Sequence, residues 1–243
     1  MAFDKERIRA VVFDYGNTLV EFNQEQTLQY DAALAEVLTR LFGAPDFAAL
    51  HAIRNRNRMA PYAGDPPAYR ENDLREITTD LIRELYGVTP AETAVDEVLQ
   101  VRFRAFVAMA DAPACAVHVL ETLQDRYALG LLSNYPDGEA VRESLKRAGL
   151  AGYFKAAVIS GDVGFAKPHP LPFTTILDEL DMAAGQVLFV GDNWLSDVQG
   201  AKRAGMYAAW LRQYAVAERF EPKPGDLAPD LTLAHLNELL AHV

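Results

Sequence analysis

The chain has 243 residues, half of them hydrophobic and 23% charged, an ordinary globular balance with ample material for a core. Its 34 acidic and 23 basic residues leave a net charge of −11, which argues against general affinity for nucleic acid or anionic lipid, because a polyanion gains nothing from meeting another. A single cysteine, Cys115, excludes an intramolecular disulfide and a cysteine-rich metal site; no apolar run approaches a membrane span, and the polar start lacks a signal-peptide stretch, so a cytoplasmic location with no membrane partner is expected.

Residues 8–13 (IRAVVF) form a short apolar run rich in branched side chains that ends abruptly at Asp14. The interval from about 22 to 111 contains no such run and reads as helical throughout. Leu28, Ala32, Leu34, Val37, Leu38 and Leu41 recur at helical spacing until Gly43 and Pro45, and residues 46–59 form a weaker helix. Leu74, Ile77, Leu81, Ile82 and Leu85 make another stripe, ended by Gly87. Thr89-Pro90-Ala91-Glu92 then has the pattern of a capping box with proline at the first helical position, opening a stripe through Val95, Val98 and Leu99 towards Phe106. Asp111-Ala112-Pro113 closes the interval.

Beyond it, strand-like runs at 127–132, 155–159, 186–190 and 207–211 are separated by helical patterns at about 114–126, 137–148, 170–181 and 195–204. This alternation predicts an α/β protein: a doubly wound, Rossmann-like parallel sheet built from residues 1–20 and 112–243, with an all-helical domain, 21–111, inserted after the first strand. Parallel strands deliver their carboxyl ends to one edge, where such sheets bind ligands.

The expected strand ends concentrate polar groups. The first gives Asp14-Tyr15-Gly16-Asn17-Thr18, the second Ser133-Asn134, and the fourth Gly191-Asp192-Asn193-Trp194-Leu195-Ser196-Asp197, while Lys167-Pro168 follows the third. Asp14, Asp192 and Asp197 at close range resist ionising together unless something neutralises them. A hard divalent cation does so, and Mg²⁺ prefers one or two carboxylates plus waters and phosphate oxygens. Lys167 would supply charge to phosphate oxygens that the metal does not reach, with Ser133 and the amides around 15–17 as hydrogen-bond donors. The set suits phosphoryl transfer, in which positioning and charge neutralisation supply most of the catalysis.

The segments DYGNTL, LLSN, AKPHP and GDNWLSD, in this order, resemble the four motifs of the haloacid dehalogenase superfamily, and the helical insertion sits where that family places its C1 cap. The run Asp197 to Gly205 also resembles the phosphatase-rich subfamily with that cap. The resemblance implies a hydrolase that acts on a small phosphorylated metabolite: Asp14 attacks phosphorus to form an aspartyl-phosphate, and Ser133, Asn134 and Lys167 grip the phosphoryl group. It also implies Mg²⁺ held by Asp14, the Gly16 carbonyl, Asp192 and, directly or through water, Asp197.

One position departs from the pattern. The family's phosphatases usually carry a second aspartate, the general acid and base, where this chain has Gly16. Without it, aryl phosphates should be cleaved faster than alkyl phosphates, and Gly16→Asp should restore alkyl turnover if the side chain fits; reactive leaving groups, or an acid supplied by the cap, could compensate. Rival readings are a metal-independent dehalogenase, which lacks that aspartate too but usually has serine in place of Asp192, and a phosphate-binding or regulatory protein with little turnover. Arg54, Arg56 and Arg58 are expected on a solvated face, His169 in a solvated loop, and Trp194 either lining the site or packed against the cap.

Overall fold

The computed structural model describes residues 3–214 and 220–243. Strand β1 (Ala10–Phe13) is followed by four helices, α1 (Gln24–Phe42), α2 (Phe47–Met59), α3 (Leu74–Tyr86) and α4 (Glu92–Met109), before helix α5 (Ala114–Leu123) leads into β2 (Ala128–Ser133). Then come α6 (Gly138–Arg147), β3 (Ala156–Ile159), the short α7 (Ser160–Val163), α8 (Pro170–Leu180) and β4 (Val187–Gly191). A π-helical turn (Trp194–Gln199), α9 (Gly200–Arg203), β5 (Tyr207–Leu211) and β6 (Leu231–Leu233) follow, and a 3₁₀ helix (Leu236–Ala241) comes last. The strands form one six-stranded sheet in the order β3-β2-β1-β4-β5-β6, every pair parallel.

Both faces of the sheet are covered, which is why its strands read as unbroken apolar runs. Along β1, Val11 and Phe13 join one buried cluster, and Ala10 and Val12 join the other. The first cluster continues into the helical insertion through Leu34, Leu38, Leu50, Leu81, Val98 and Phe106, so the insertion's apolar stripes and this face of the sheet share one core. No single described helix is long and apolar enough to cross a membrane.

The anticipated runs match β1–β5, but β6 was not anticipated. It is three residues long, and its middle side chain, Thr232, is exposed, so it carries neither a run nor a period. The expected helix at 195–204 is instead a π turn followed by one turn of α-helix. The expected capping box at Thr89 does not form. Helix α4 begins at Glu92 behind an extended Ala91, with no side-chain cap. Asn23 and Gln26 do form one, each side chain accepting the other's backbone N–H at 2.9 Å, and fix the start of α1 where the chain leaves the sheet.

Candidate active site

β1 lies between β2 and β4, and the chain winds outward from it to β3 on one side and β6 on the other. The strand order therefore reverses at β1, the switch point at which open α/β sheets leave a crevice. Asp14 is the first residue beyond β1, Ser133 ends β2, and Asp192 follows β4. The register brings these ends level: Phe13 pairs with Leu131 on one side and Val190 on the other, and the Asp14 N–H donates to the Val190 carbonyl at 2.9 Å.

Lys167 holds the centre. Its side chain is 1% exposed, and Nζ donates to Asp14 Oδ1 at 2.7 Å, Asp197 Oδ1 at 2.8 Å and the Leu132 carbonyl at 2.7 Å. Those acceptors satisfy all three ammonium hydrogens. Burial pulls the Lys167 ammonium down, but Asp14 and Asp197 outweigh it and hold the group above its usual range. Burial likewise pushes the Asp197 carboxyl up, and the attraction of Lys167 offsets only part of that. The other Asp197 oxygen accepts the Asn193 N–H at 2.9 Å. Oxygens of Asp14, Asp192 and Asp197 lie within 4.8 Å of one another, so the cluster carries three carboxylates against one ammonium.

Two glycines make this geometry possible by what they lack. A Cβ on Gly191 would sit 2.4 Å from Asp197 Oδ2, so only glycine lets that carboxylate approach the end of β4. A Cβ on Gly16 would meet Phe22 Cδ2 at 2.7 Å. Gly16 is not among the residues with positive φ, so its constraint is space rather than backbone conformation. The turn is made by Asn17, whose φ is 57°; its Oδ1 accepts from the Phe22 N–H at 2.9 Å, and its own N–H donates to the Val20 carbonyl at 2.6 Å. The Asn17 amide is therefore spent within the turn and is not a phosphate donor.

The family model of haloacid dehalogenase-like hydrolases matches residues 8–205. The chain belongs to this family. Among curated relatives, it is 37% identical over 128 residues to a phosphoserine phosphatase of Thermus thermophilus, a match that spans 52% of this chain and 49% of the relative. It is 26% identical over 225 residues to a glyceraldehyde 3-phosphate phosphatase of Pyrococcus furiosus, covering 87% of this chain and 84% of that one. The chain thus spans about half the length of the first of these relatives and most of the second. Two solved structures share the fold: a 2-haloacid dehalogenase of Pseudomonas syringae (TM-score 0.74, 24% identity, 96% of this chain and 97% of that one) and a magnesium-bound hydrolase of this family from Bacillus subtilis (TM-score 0.71, 19% identity, 97% and 98%).

The structure brings together Asp14, Lys167, Asp192 and Asp197, with buried Ser133 at the end of the strand beside β1. Asn134 turns to Lys167 instead, accepting its backbone N–H at 2.8 Å and donating to its carbonyl at 3.0 Å, so it holds the lysine's loop. Other expectations change. Arg56 is exposed and paired with Glu84, but Arg54 is largely buried, lies 4.2 Å over the Tyr30 ring and pairs with the fully buried Asp31, which His51 Nδ1 also contacts at 2.6 Å. Trp194 packs edge-on against Trp210 and donates to Asp226 at 2.7 Å. His169 caps α8, its Nδ1 accepting from the Leu171 N–H at 3.2 Å, and its ring stacks on Phe165.

Sequence reasoning missed the insertion's grip on the site. Tyr69 O accepts the Ala166 N–H at 2.8 Å, the Glu71 N–H donates to the Gly164 carbonyl at 3.0 Å, and Glu71 accepts from Ser160 Oγ at 2.5 Å, which straps the loop that presents Lys167. Tyr62 reaches further: Asn134 Nδ2 donates to its hydroxyl at 2.9 Å, and Ser196 Oγ lies 3.0 Å from the same oxygen. No local pattern marks residues that act across such separations.

Proposed function

We propose that this protein is a Mg²⁺-dependent phosphatase that hydrolyses a small phosphorylated metabolite through an aspartyl-phosphate on Asp14. The observation that carries the reading is the Lys167 ammonium bonded to both Asp14 and Asp197 at the switch point, with Asp192 in the same cluster. A phosphoryl dianion needs a nucleophile, a fixed cation and neutralised surroundings, and this cluster supplies them once Lys167 exchanges one of its carboxylate bonds for a phosphoryl oxygen. The names of the relatives, phosphatases of small metabolites, support the same class.

In this reading Asp14 attacks phosphorus, Lys167 and the Ser133 hydroxyl hold the phosphoryl oxygens, and water later cleaves the acyl phosphate. The donor set fits Mg²⁺, being all oxygen and rich in carboxylate. Asp14, Asp192 and the Gly16 carbonyl would hold the ion. Asp197, with one oxygen on Lys167 and the other on the Asn193 amide, would reach it through water. The metal's contribution is to neutralise the carboxylates and the phosphoryl charge. Residues 1–20 and 112–243 act as the catalytic core and residues 21–111 as a cap over it, a division supported by the helices inserted after β1 and by their contacts at Tyr62, Tyr69 and Glu71. A cytoplasmic location completes the proposal.

An assay of the purified protein on an aryl phosphate tests this reading. Turnover should require Mg²⁺, vanish with exhaustive chelation and vanish in Asp14→Asn with the fold intact by circular dichroism. Full activity after chelation, or turnover of 2-haloacids in place of phosphate esters, would contradict it.

A further inference from the structure

Breaking a phosphate ester of an alcohol expels an alkoxide, which needs a proton as it leaves. Among the described residues around the cluster, most candidate donors are committed elsewhere. Both Asp197 oxygens are taken by Lys167 and the Asn193 amide. The Tyr15 hydroxyl is buried in the core against Ser144. Glu71 is bonded to Ser160, and His169 caps α8. Gly16 offers no side chain, and Phe22 fills the space where one would begin.

Tyr62 is placed differently. It is partly exposed, comes from the inserted helical segment, and brings its hydroxyl between Asn134, which follows Ser133, and Ser196, which precedes Asp197. Because Asn134 Nδ2 donates to the Tyr62 oxygen, that bond does not use the phenolic hydrogen, which is shared at most with Ser196 Oγ, 3.0 Å away. Ser196 can donate to the same oxygen, so both neighbours are suited to stabilise it once its proton has gone.

Resting on the phosphatase reading, we propose that Tyr62 is the catalytic acid of this site, giving its phenolic proton to the departing alcohol oxygen. As the bond from Asp14 Oδ to phosphorus forms, the phosphorus–oxygen bond of the ester breaks, its electron pair stays on the leaving oxygen, and the Tyr62 proton moves there. In the second half, water attacks the acyl phosphate, the bond to Asp14 breaks, and the water proton returns to the tyrosinate. Burial pushes the Tyr62 hydroxyl above its ordinary range, against the hydrogen bonds from Ser196 and Asn134 and the nearby Lys167 ammonium. It is therefore protonated at neutral pH, as a donor must be. An alkoxide is a stronger base than a phenolate, so the proton passes from Tyr62 to the leaving oxygen. This reverses the preference expected from Gly16 alone, because the wild type does not lack an acid.

The test compares wild type and Tyr62→Phe, both loaded with Mg²⁺, on an alkyl and an aryl phosphate. The wild type should turn over both at comparable rates. Tyr62→Phe should lose about 10²–10⁴-fold on the alkyl ester and much less on the aryl ester, whose phenolate departs without help. Equal losses on both esters would make Tyr62 merely a support for Asn134 and Ser196 and would overturn the assignment; so would no loss on either. Should the variant fold poorly, the wild type still decides, because a steep preference for the aryl ester means no acid is at work. Failure of the wild type on both esters defeats the phosphatase reading itself, an outcome distinct from these.

Discussion

The contact between Gly16 and Phe22 makes a sharp prediction. A methyl group on residue 16 would lie 2.7 Å from Phe22 Cδ2 and 3.0 Å from Cε2. The partly buried ring is hemmed in on two sides: it packs edge-on against Tyr15 at 6.0 Å and tilted against Phe106 at 5.6 Å, and Phe106 in turn stacks on Tyr135 at 3.8 Å. Forcing an extra methyl into such packing costs about 1–3 kcal/mol, so Gly16→Ala should lower the melting temperature by roughly 2–12 °C for a chain of this size. Phe22→Ala removes the obstacle, and the double variant should recover much of the loss, with a coupling of about 0.5–3 kcal/mol. Thermal and urea unfolding of the four proteins in the cycle measure it. Effects that add to within ~0.5 kcal/mol would refute the reasoning. The same contact predicts that Gly16→Asp alone brings no gain in alkyl-phosphate turnover; a gain of about 10²–10⁴-fold would mean Phe22 yields freely.

Gly191→Ala should displace the Asp197 carboxylate, whose Oδ2 would lie 2.4 Å from the new Cβ, and disturb the Lys167 pair; steady-state assay should find turnover lowered by ~10²-fold or more. Tyr15→Phe leaves buried Ser144 Oγ without its partner and should cost about 1–3 kcal/mol in urea unfolding while turnover is unchanged, whereas a catalytic loss would give Tyr15 a chemical role. Asp31→Ala removes the buried carboxylate between Arg54 and His51 and should cost about 3–5 kcal/mol by the same method, a neutral result meaning the pair is replaceable by packing.

The fold was legible where burial was uniform. Runs such as 127–132 and 207–211 stood out because parallel strands covered on both faces admit only apolar side chains, and β6 hid because one exposed threonine in three residues erases the signal. Asp14, Lys167, Asp192 and Asp197 were legible because a parallel sheet, inferred from the alternation of strands and helices, brings their segments to one edge. Arg54 and Tyr62 were not. A mostly polar helix reads as solvated until a partner such as Asp31 or Asn134 is known, and such partners lie 20 residues or more away along the chain. The Gly16 position was visible as a departure, but only Phe22 explains what occupies the space.

The central claim is that Asp14 carries the phosphoryl group. Acid-quenching the Mg²⁺-loaded protein during turnover of an aryl phosphate, followed by peptide mass spectrometry, tests it most directly. The account predicts a phosphoryl adduct on the peptide bearing Asp14, reducible by borohydride and absent from Asp14→Asn. Sustained turnover by the wild type with Asp14 unmodified, or with the adduct on another residue, would contradict it.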